Sequence, residues 1–206
     1  MLLDLASLKP NTCYHLMTQT LIPRPIAWVL SASDNGELNL APFSFFNGVC
    51  SGPPIVMMSI GKKTAEEAKD TRHNILSGRE FVIHLPAIAQ AEDVTASAAT
   101  LPYGKSELEL IKDNELVEFP GCPLPRLKAA PVAFHAKLHE VHYLGNQKQA
   151  VIYAELIQAY IDDAAIEEDE EKGRYLVDAK AINPLARLGG ASYTGIDKIF
   201  SIARPK

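Results

Sequence analysis

The sequence of 206 residues is poor in cysteine, in excess basic residues and in long apolar runs. Its three cysteines, Cys13, Cys50 and Cys122, form no CxxC pair and no disulfide ladder, which favours a reducing cytoplasm and burial as small hydrophobic side chains. A formal net charge of −5 leaves no basic surplus to neutralise phosphates, so a general nucleic-acid binder is not expected. No window approaches the roughly 18 apolar residues that a membrane span requires.

Several familiar signatures are also missing. The N-terminal stretch lacks a basic n-region and carries Asp4 inside its short apolar run, so it makes a poor secretory signal peptide. The sequence contains no GxGxxG after a strand, no GxxxxGK(S/T) and no GxSxG. A Rossmann dinucleotide site, a P-loop and a hydrolase nucleophile elbow are therefore not predicted.

Three short runs rich in apolar and β-favouring residues predict strands, at 26–31, 53–61 and 80–86. Gly36, in the segment DNGEL, is expected to take a positive φ in a turn. Gly78 precedes the third run and predicts the C-terminal cap of a helix.

That helix is predicted over 69–78, with Asp70 as the N-cap and Thr71 in the first turn. Thr64 and Glu67 also have the spacing of a capping box, so an earlier start stays open.

The second half of the chain predicts more strands than helices. A helix is expected from about 91 and is broken by Pro102 and Gly104. Segments 130–145 and 149–163 predict two strands joined by a turn, which together form a hairpin.

Two polar segments follow the hairpin. The acidic run 162–174 predicts a solvated loop, and the tail 178–196 predicts a short helix entered through Pro184 and ended by a Gly-Gly break. Strands separated by few, short helices favour a mainly β fold, a β-barrel or an α+β arrangement, over a doubly wound sheet.

The segment HAKLHEVH offers an apparent metal site. On a helix, His135, His139 and His142 would share one face and suit zinc or iron. The surrounding alternation of apolar and polar residues favours a strand, on which His142 points away from the other two. We therefore interpret the three histidines as solvent-facing and expect no metal.

The segment KDTRHN combines a cation, a hydroxyl and an amide, supplied by Lys69, Thr71 and Asn74, around the predicted helix start. This set suits a phosphate, and it also suits an ordinary capped surface helix. Both interpretations stay open from these residues.

The segment NLAPFSFF, 39–46, fits neither the helical nor the strand period. A planar, amphipathic ligand needs apolar faces together with polar partners for its edge, and this segment carries both. A core strand with a bulge explains the same residues equally well.

Three segments together resemble the flavin reductase-like, FMN-binding split-barrel family: 23–61, 69–86 and 183–193. The family includes flavoredoxin and the reductase components of two-component monooxygenases. The resemblance implies a mainly β, Greek-key split barrel with short helices, forming one domain over 1–206. It also implies a homodimer with one FMN per subunit near the interface.

The resemblance assigns cofactor-binding roles position by position. Residues expected along the isoalloxazine and ribityl region are Ser31, Asn39, Ala41, Pro42, Phe43 and Ser44. Those expected to approach the same ligand from the next strand are Ser59 and Gly61, and those near the phosphate are Lys69, Thr71 and Asn74. Arg187 and Tyr193 belong to the tail motif. The chain departs from the family pattern at His84, where Asn is frequent, and near Phe134 and His135, where an acid-Cys pair is common.

The implied activity is that of a flavin reductase. Hydride would pass from NADH or NADPH to bound FMN, and electrons would then reach an acceptor or a partner monooxygenase. A second hypothesis is an FMN-binding electron carrier or sensor without robust nicotinamide turnover, and a third is a metal-dependent protein that uses the three histidines. No catalytic side chain is predicted.

Overall fold

The computed structural model describes residues 1–205. Its strands are β1 (Arg24–Pro25), β2 (Ala27–Ala32), β3 (Leu38–Phe43), β4 (Phe46–Ser51), β5 (Pro54–Ile60), β6 (Phe81–Leu85), β7 (Leu116–Val117), β8 (Arg126–Leu127), β9 (Val132–Leu144), β10 (Gln149–Ile161), β11 (Ile166–Asp169), β12 (Arg174–Val177), β13 (Ala186–Arg187) and β14 (Tyr193–Thr194). The α-helices are α1 (Pro10–Thr20), α2 (Asp70–Leu76), α3 (Ala91–Ala96) and α4 (Ala179–Ile182), and 3-10 turns occupy Leu5–Ser7, Ile88–Gln90, Glu107–Leu110 and Asp163–Ala165.

Seven antiparallel strands form the main sheet in the order β3-β2-β6-β9-β10-β5-β4. Smaller sheets are made by β1-β13-β14, β11-β12 and β7-β8. The predicted mainly β fold is confirmed, and so is the hairpin, which is the β9–β10 pair. The predicted turn glycine Gly36 and helix-capping Gly78 both have positive φ, at 85° and 84°.

The sheet has a separate hydrophobic core on each face because side chains alternate along its strands. In β2, Ala27 and Val29 pack into one core, while Trp28 and Leu30 pack into the other. The Trp28 indole Nε1–H donates to the Ser97 hydroxyl at 2.8 Å. This bond fixes the loop after α3 against the sheet.

The segment 39–46 forms a corner between the two edge strands. β3 ends at Phe43 and β4 begins at Phe46. Between them, the Phe45 carbonyl accepts a hydrogen bond from the Ser59 backbone N–H at 2.8 Å. The segment is therefore strand, corner and strand in succession, which explains why one period does not fit it.

The sequence predicts a solvated loop for the acidic run, and this prediction is wrong. The run contains a 3-10 turn, Asp163–Ala165, and it supplies β11, which pairs with β12 across 166–169 and 174–177. The apolar residues of β12 were outside the predicted loop, so the pairing partner was missed.

Two helix starts also differ from the prediction. α2 is capped by Lys69, and Asp70 is its first helical residue. Thr64 accepts the backbone N–H of Glu67 in a turn rather than in a helix. α4 ends before Pro184 instead of beginning there, because Asp178 caps its N-terminus.

The predicted solvent-facing position is wrong for His135, which is only 3% exposed. β9 lies between β6 and β10, and Phe119 covers the His135 ring edge-on at 6.4 Å. His135 Nε2 lies 2.8 Å from the Glu80 carboxylate. His139 and His142 are exposed as predicted, and no group of three metal-ligating side chains occurs within residues 1–205.

The prediction that all three cysteines are buried is also wrong. Cys50 is exposed on the edge strand β4, and Cys13 and Cys122 are half-buried. All three thiols are free. Among residues 1–205, no helix is long and apolar enough to cross a membrane.

Candidate functional site

Three clefts meet at the β3–β4 corner. We call them the lysine cleft, which Lys62, Lys63 and Lys69 line; the corner cleft, which Ser59 and Gly61 line; and the arginine cleft, which Arg187 lines. Pro42 borders all three clefts, whereas Phe43 and Ser44 each border two of them. The corner therefore forms a common wall.

Most of the predicted site residues line these clefts. The lysine cleft contains Asn39, Ala41, Pro42, Phe43, Lys69 and Thr71, the corner cleft adds Ser44, Ser59 and Gly61, and the arginine cleft adds Arg187 and Tyr193. Ser31 and Asn74, both buried, line none of the three clefts.

A buried hydrogen-bond network connects the wall to the helix beside it. The Asn39 side-chain amide donates to the Thr71 hydroxyl at 2.8 Å, and the Asn74 amide donates to the Ser31 hydroxyl at 3.0 Å. Asn39 also lies 3.4 Å from Ser31. Since buried polar groups need partners, this network fixes β2, β3 and α2 in register. Ser31 and Asn74 thus position Asn39 and Thr71.

Part of the positive charge of the lysine cleft has no carboxylate partner within residues 1–205. The Lys63 ammonium pairs with the Asp70 carboxylate at 2.6 Å. Lys62 donates to the Ala65 carbonyl at 2.7 Å. The ammonium of Lys69 lies 5.5 Å from the centre of the Phe43 ring, where desolvation lowers its pKa.

Neither Lys62 nor Lys69 forms an ion pair within residues 1–205. The lysines that do pair with a carboxylate there are Lys63, Lys112, Lys128, Lys137 and Lys172. Lys62 and Lys69 therefore offer two cations without carboxylate partners to an anion in this cleft.

A buried acid also lines the lysine cleft. Glu107 is 4% exposed, and its carboxylate accepts the Leu40 backbone N–H at 3.0 Å. Burial is the main cause that raises the pKa of this carboxyl. Sequence reasoning missed Glu107 because it lies 67 residues from its partner. Lys62 and Lys63 were also missed, although they directly follow Gly61.

Two arginines pair across β1 and β13, and of the two Arg187 lines the arginine cleft. Arg24 pairs with Arg187 in the strand register. The buried Arg24 guanidinium donates to the carbonyls of Leu21 and Leu188, at 2.9 and 3.0 Å, and its Nε lies 3.4 Å from the Ser44 hydroxyl. Burial is the main cause that lowers the pKa of Arg24.

In this cleft, the Arg187 guanidinium stacks on the Tyr193 ring, with its central carbon 4.4 Å from the ring centre. The Tyr193 hydroxyl lies 3.0 Å from the Thr95 hydroxyl. The tail is thereby attached to the end of α3.

Comparison with known proteins identifies the family. A model of the flavin reductase like domain matches residues 18–184. The chain belongs to the flavin reductase-like family. The uncharacterized protein YwrF of Bacillus subtilis is 36% identical over 201 residues, which is 96% of each chain.

Solved structures of similar proteins agree with this flavin reductase-like fold. Nitrilotriacetate monooxygenase component B from Bacillus cereus gives a TM-score of 0.87 at 28% identity, over 98% of each chain. The 2-nitrobenzoate 2-nitroreductase of Pseudomonas fluorescens gives 0.85 at 27% identity, over 100% of this chain and 96% of that one. A Shewanella frigidimarina protein described with a split barrel domain gives 0.81 at 20% identity over both full chains. The predicted split-barrel fold is confirmed.

Proposed function

We propose that this flavin reductase-like protein binds FMN at the corner wall and accepts hydride there from NADH or NADPH. Electrons would then pass to an acceptor or to a partner monooxygenase. The observation that carries the proposal is the arrangement at Pro42 and Phe43. There, apolar surface adjoins two cations without carboxylate partners.

The residues present suit FMN, which combines a planar ring system, a hydroxylated chain and a phosphate. Pro42 and Phe43 offer apolar surface to the ring, and the Ser44 and Ser59 side chains offer hydroxyls to its polar edge. Lys62, Lys69 and the Thr71 hydroxyl would hold the phosphate, with Ala41 and Gly61 completing the walls.

Bound FMN would supply the capacity to accept hydride and to release electrons to a second substrate. The protein's own contribution is position and electrostatics. Because an Arg24 N–H points at the Ser44 oxygen, the serine proton is directed away from Arg24. Ser44 is thereby oriented to donate a hydrogen bond and to stabilise negative charge that develops beside the wall.

A monooxygenase partner is proposed on a narrower basis. One similar structure is named as a monooxygenase component B, which supports transfer of reducing equivalents to a separate oxygenase. We propose that reduced flavin or its electrons reach such a partner in the cytoplasm.

We also propose a homodimer through what we call the β4 face, the exposed edge of β4 with the end of α1. Val49 is 50% exposed on β4, and Met17 and Leu21 are exposed at the end of α1. An open apolar groove lined by Met17, Leu21, Phe46 and Met57 joins the end of α1 to the start of β4. An edge strand with exposed apolar side chains is a site for pairing with another chain.

FMN titration of the purified protein, followed by quenching of flavin fluorescence, tests the cofactor assignment. Lys69→Gln is expected to raise the dissociation constant about tenfold or more, because it removes a charge-assisted hydrogen bond to phosphate. Lys180→Gln removes the same charge on exposed α4 and serves as the control. Absence of FMN binding by the wild type, or equal effects of the two variants, would refute the assignment.

A further inference from the structure

The arginine cleft contains a cation that the proposed flavin site does not use. Arg187 is half-buried, and one of its N–H groups donates to the Gly190 carbonyl. The arginine ion pairs within residues 1–205 are made by Arg79 and Arg174, not by Arg187. Most of the five guanidinium donors of Arg187 therefore have no partner among the described residues.

The surroundings of Arg187 increase the positive potential. No Asp or Glu lines the arginine cleft in the described part of the chain. Arg24, directly opposite in the strand register, carries a second positive charge that is bonded to carbonyl oxygens rather than to carboxylates. An anion that enters this cleft thus meets one available guanidinium and a second cation behind it.

The rest of the cleft suits a flat apolar group. Ile26, Val94 and Ala98 supply aliphatic surface, and the Tyr193 ring supplies a planar one. Stacking on Tyr193 at 4.4 Å restricts the plane of the Arg187 guanidinium, which reduces the rotamer entropy that binding would otherwise cost.

The position of the cleft connects it to the proposed flavin site. Pro42 and Ser44 line both the arginine cleft and the corner cleft. A molecule held by Arg187 is therefore adjacent to the wall at which we place FMN.

We propose that the arginine cleft binds the carboxylate of a small planar aromatic substrate, with Arg187 as the carboxylate-binding residue. One guanidinium with free donors matches a singly charged, planar carboxylate in a bidentate pair. The dianionic phosphate is better matched by the lysines of the other cleft. The role as substrate rests on the proposed function, whereas binding of the carboxylate does not.

Equilibrium binding of benzoate and of its neutral analogue benzamide to the purified protein tests this proposal by calorimetry. The wild type is expected to bind benzoate about tenfold or more tightly than benzamide, from one charge-assisted bidentate pair. Arg187→Gln is expected to abolish the preference, and Arg187→Lys to keep part of it because the charge remains without the planar fork. Lys180→Gln, on exposed α4, should keep the wild-type preference.

FMN is titrated into the same preparations, so that the two proposals fail separately. If the wild type binds FMN but shows no benzoate preference, or if Arg187→Gln keeps that preference, the carboxylate site is refuted. If benzoate preference is present and depends on Arg187 but FMN does not bind, the carboxylate site stands and the flavin function fails. If Arg187→Gln weakens binding of NADH or NADPH and leaves benzoate unaffected, the cleft belongs to the nucleotide phosphates and our proposal is refuted.

Discussion

His84 makes the stability of this protein sensitive to mild acid. Its ring is fully buried in β6, where the Leu127 backbone N–H donates to Nε2 at 3.0 Å. Nε2 must therefore be unprotonated, and the proton on Nδ1 is donated to the Trp28 carbonyl at 3.0 Å. Only the neutral imidazole that carries its proton on Nδ1 makes both bonds, because protonation of Nε2 would break the bond from Leu127.

Desolvation is the main cause that lowers the pKa of His84 from 6.5 to about 4. The unfolded chain takes up a proton near its ordinary pKa of 6.5, whereas the folded protein does not until about pH 4. Stability is therefore unaffected by this group above pH 6.5 and falls as the pH falls from there towards 4. The loss amounts to about 3 kcal/mol in total, from about 1.4 kcal/mol for each pH unit.

Urea unfolding followed by Trp28 fluorescence measures this loss across the pH range. We expect the free energy of unfolding of the wild type to fall between about pH 6.5 and 5, a range in which most carboxylates stay ionised. His84→Asn, although less stable at neutral pH, should show a flatter profile there. His15→Asn, at an exposed position on α1, should keep the wild-type profile.

Two results would refute this reasoning about His84. One is a parallel pH profile for the wild type and His84→Asn. The other is an NMR titration in which the imidazole of the folded wild type takes up a proton near pH 6.5, and this second measurement applies even if His84→Asn does not fold.

Three further predictions concern the proposed site and dimer. Glu107→Gln should raise the free energy of unfolding at pH 7, because it removes the buried charge while it keeps an acceptor for the Leu40 N–H. The gain should shrink as the pH falls from the raised pKa of Glu107 towards the ordinary carboxyl pKa, where it is lost; a gain independent of pH in urea unfolding would contradict this. Asn39→Ala should weaken FMN binding about tenfold in fluorescence titration by releasing the Thr71 hydroxyl, and unchanged affinity would remove Asn39 from the site. Val49→Lys should shift the protein from dimer to monomer in sedimentation velocity, and a wild type that sediments as a monomer would refute the β4 face as an interface.

The sequence predicted the main sheet because its strands are locally encoded. The buried runs of β2, β5 and β6, the turn at Gly36 and the long β9–β10 hairpin each carry their own pattern. The β3–β4 corner was not predicted: the sequence left a ligand-binding wall and a bulged core strand open for 39–46, because the pairing of the Phe45 carbonyl with Ser59 on the neighbouring strand β5 cannot be read from the segment itself.

Other elements could not be predicted because their partners are distant or concealed. β11 is highly acidic, and only its pairing with β12 makes it a strand. Pro184 can begin a helix or follow one, and the cap at Asp178 decides between these. The alternation along β9 placed the His135 side chain on the polar face of the strand, away from its apolar neighbours. It could not show that Phe119, from a distant segment, packs against His135.

For the candidate site, the sequence indicated the correct neighbourhood but not the direction of every side chain. Ser31 and Asn74 have the residue types that contact cofactors, yet both are buried and bond to each other. Glu107 reaches the lysine cleft from a separate segment. Arg187 was predicted from the tail motif to bind the cofactor, and it lines a different cleft from Lys69.

The central claim, that this protein reduces FMN with a nicotinamide nucleotide, is tested most directly by anaerobic rapid mixing. Protein loaded with FMN is mixed with NADH or with NADPH, and the visible absorbance of the flavin is followed. Our account predicts rapid bleaching by at least one of the two nucleotides, at a rate that saturates with nucleotide concentration. Retention of the oxidised spectrum with both nucleotides would contradict it.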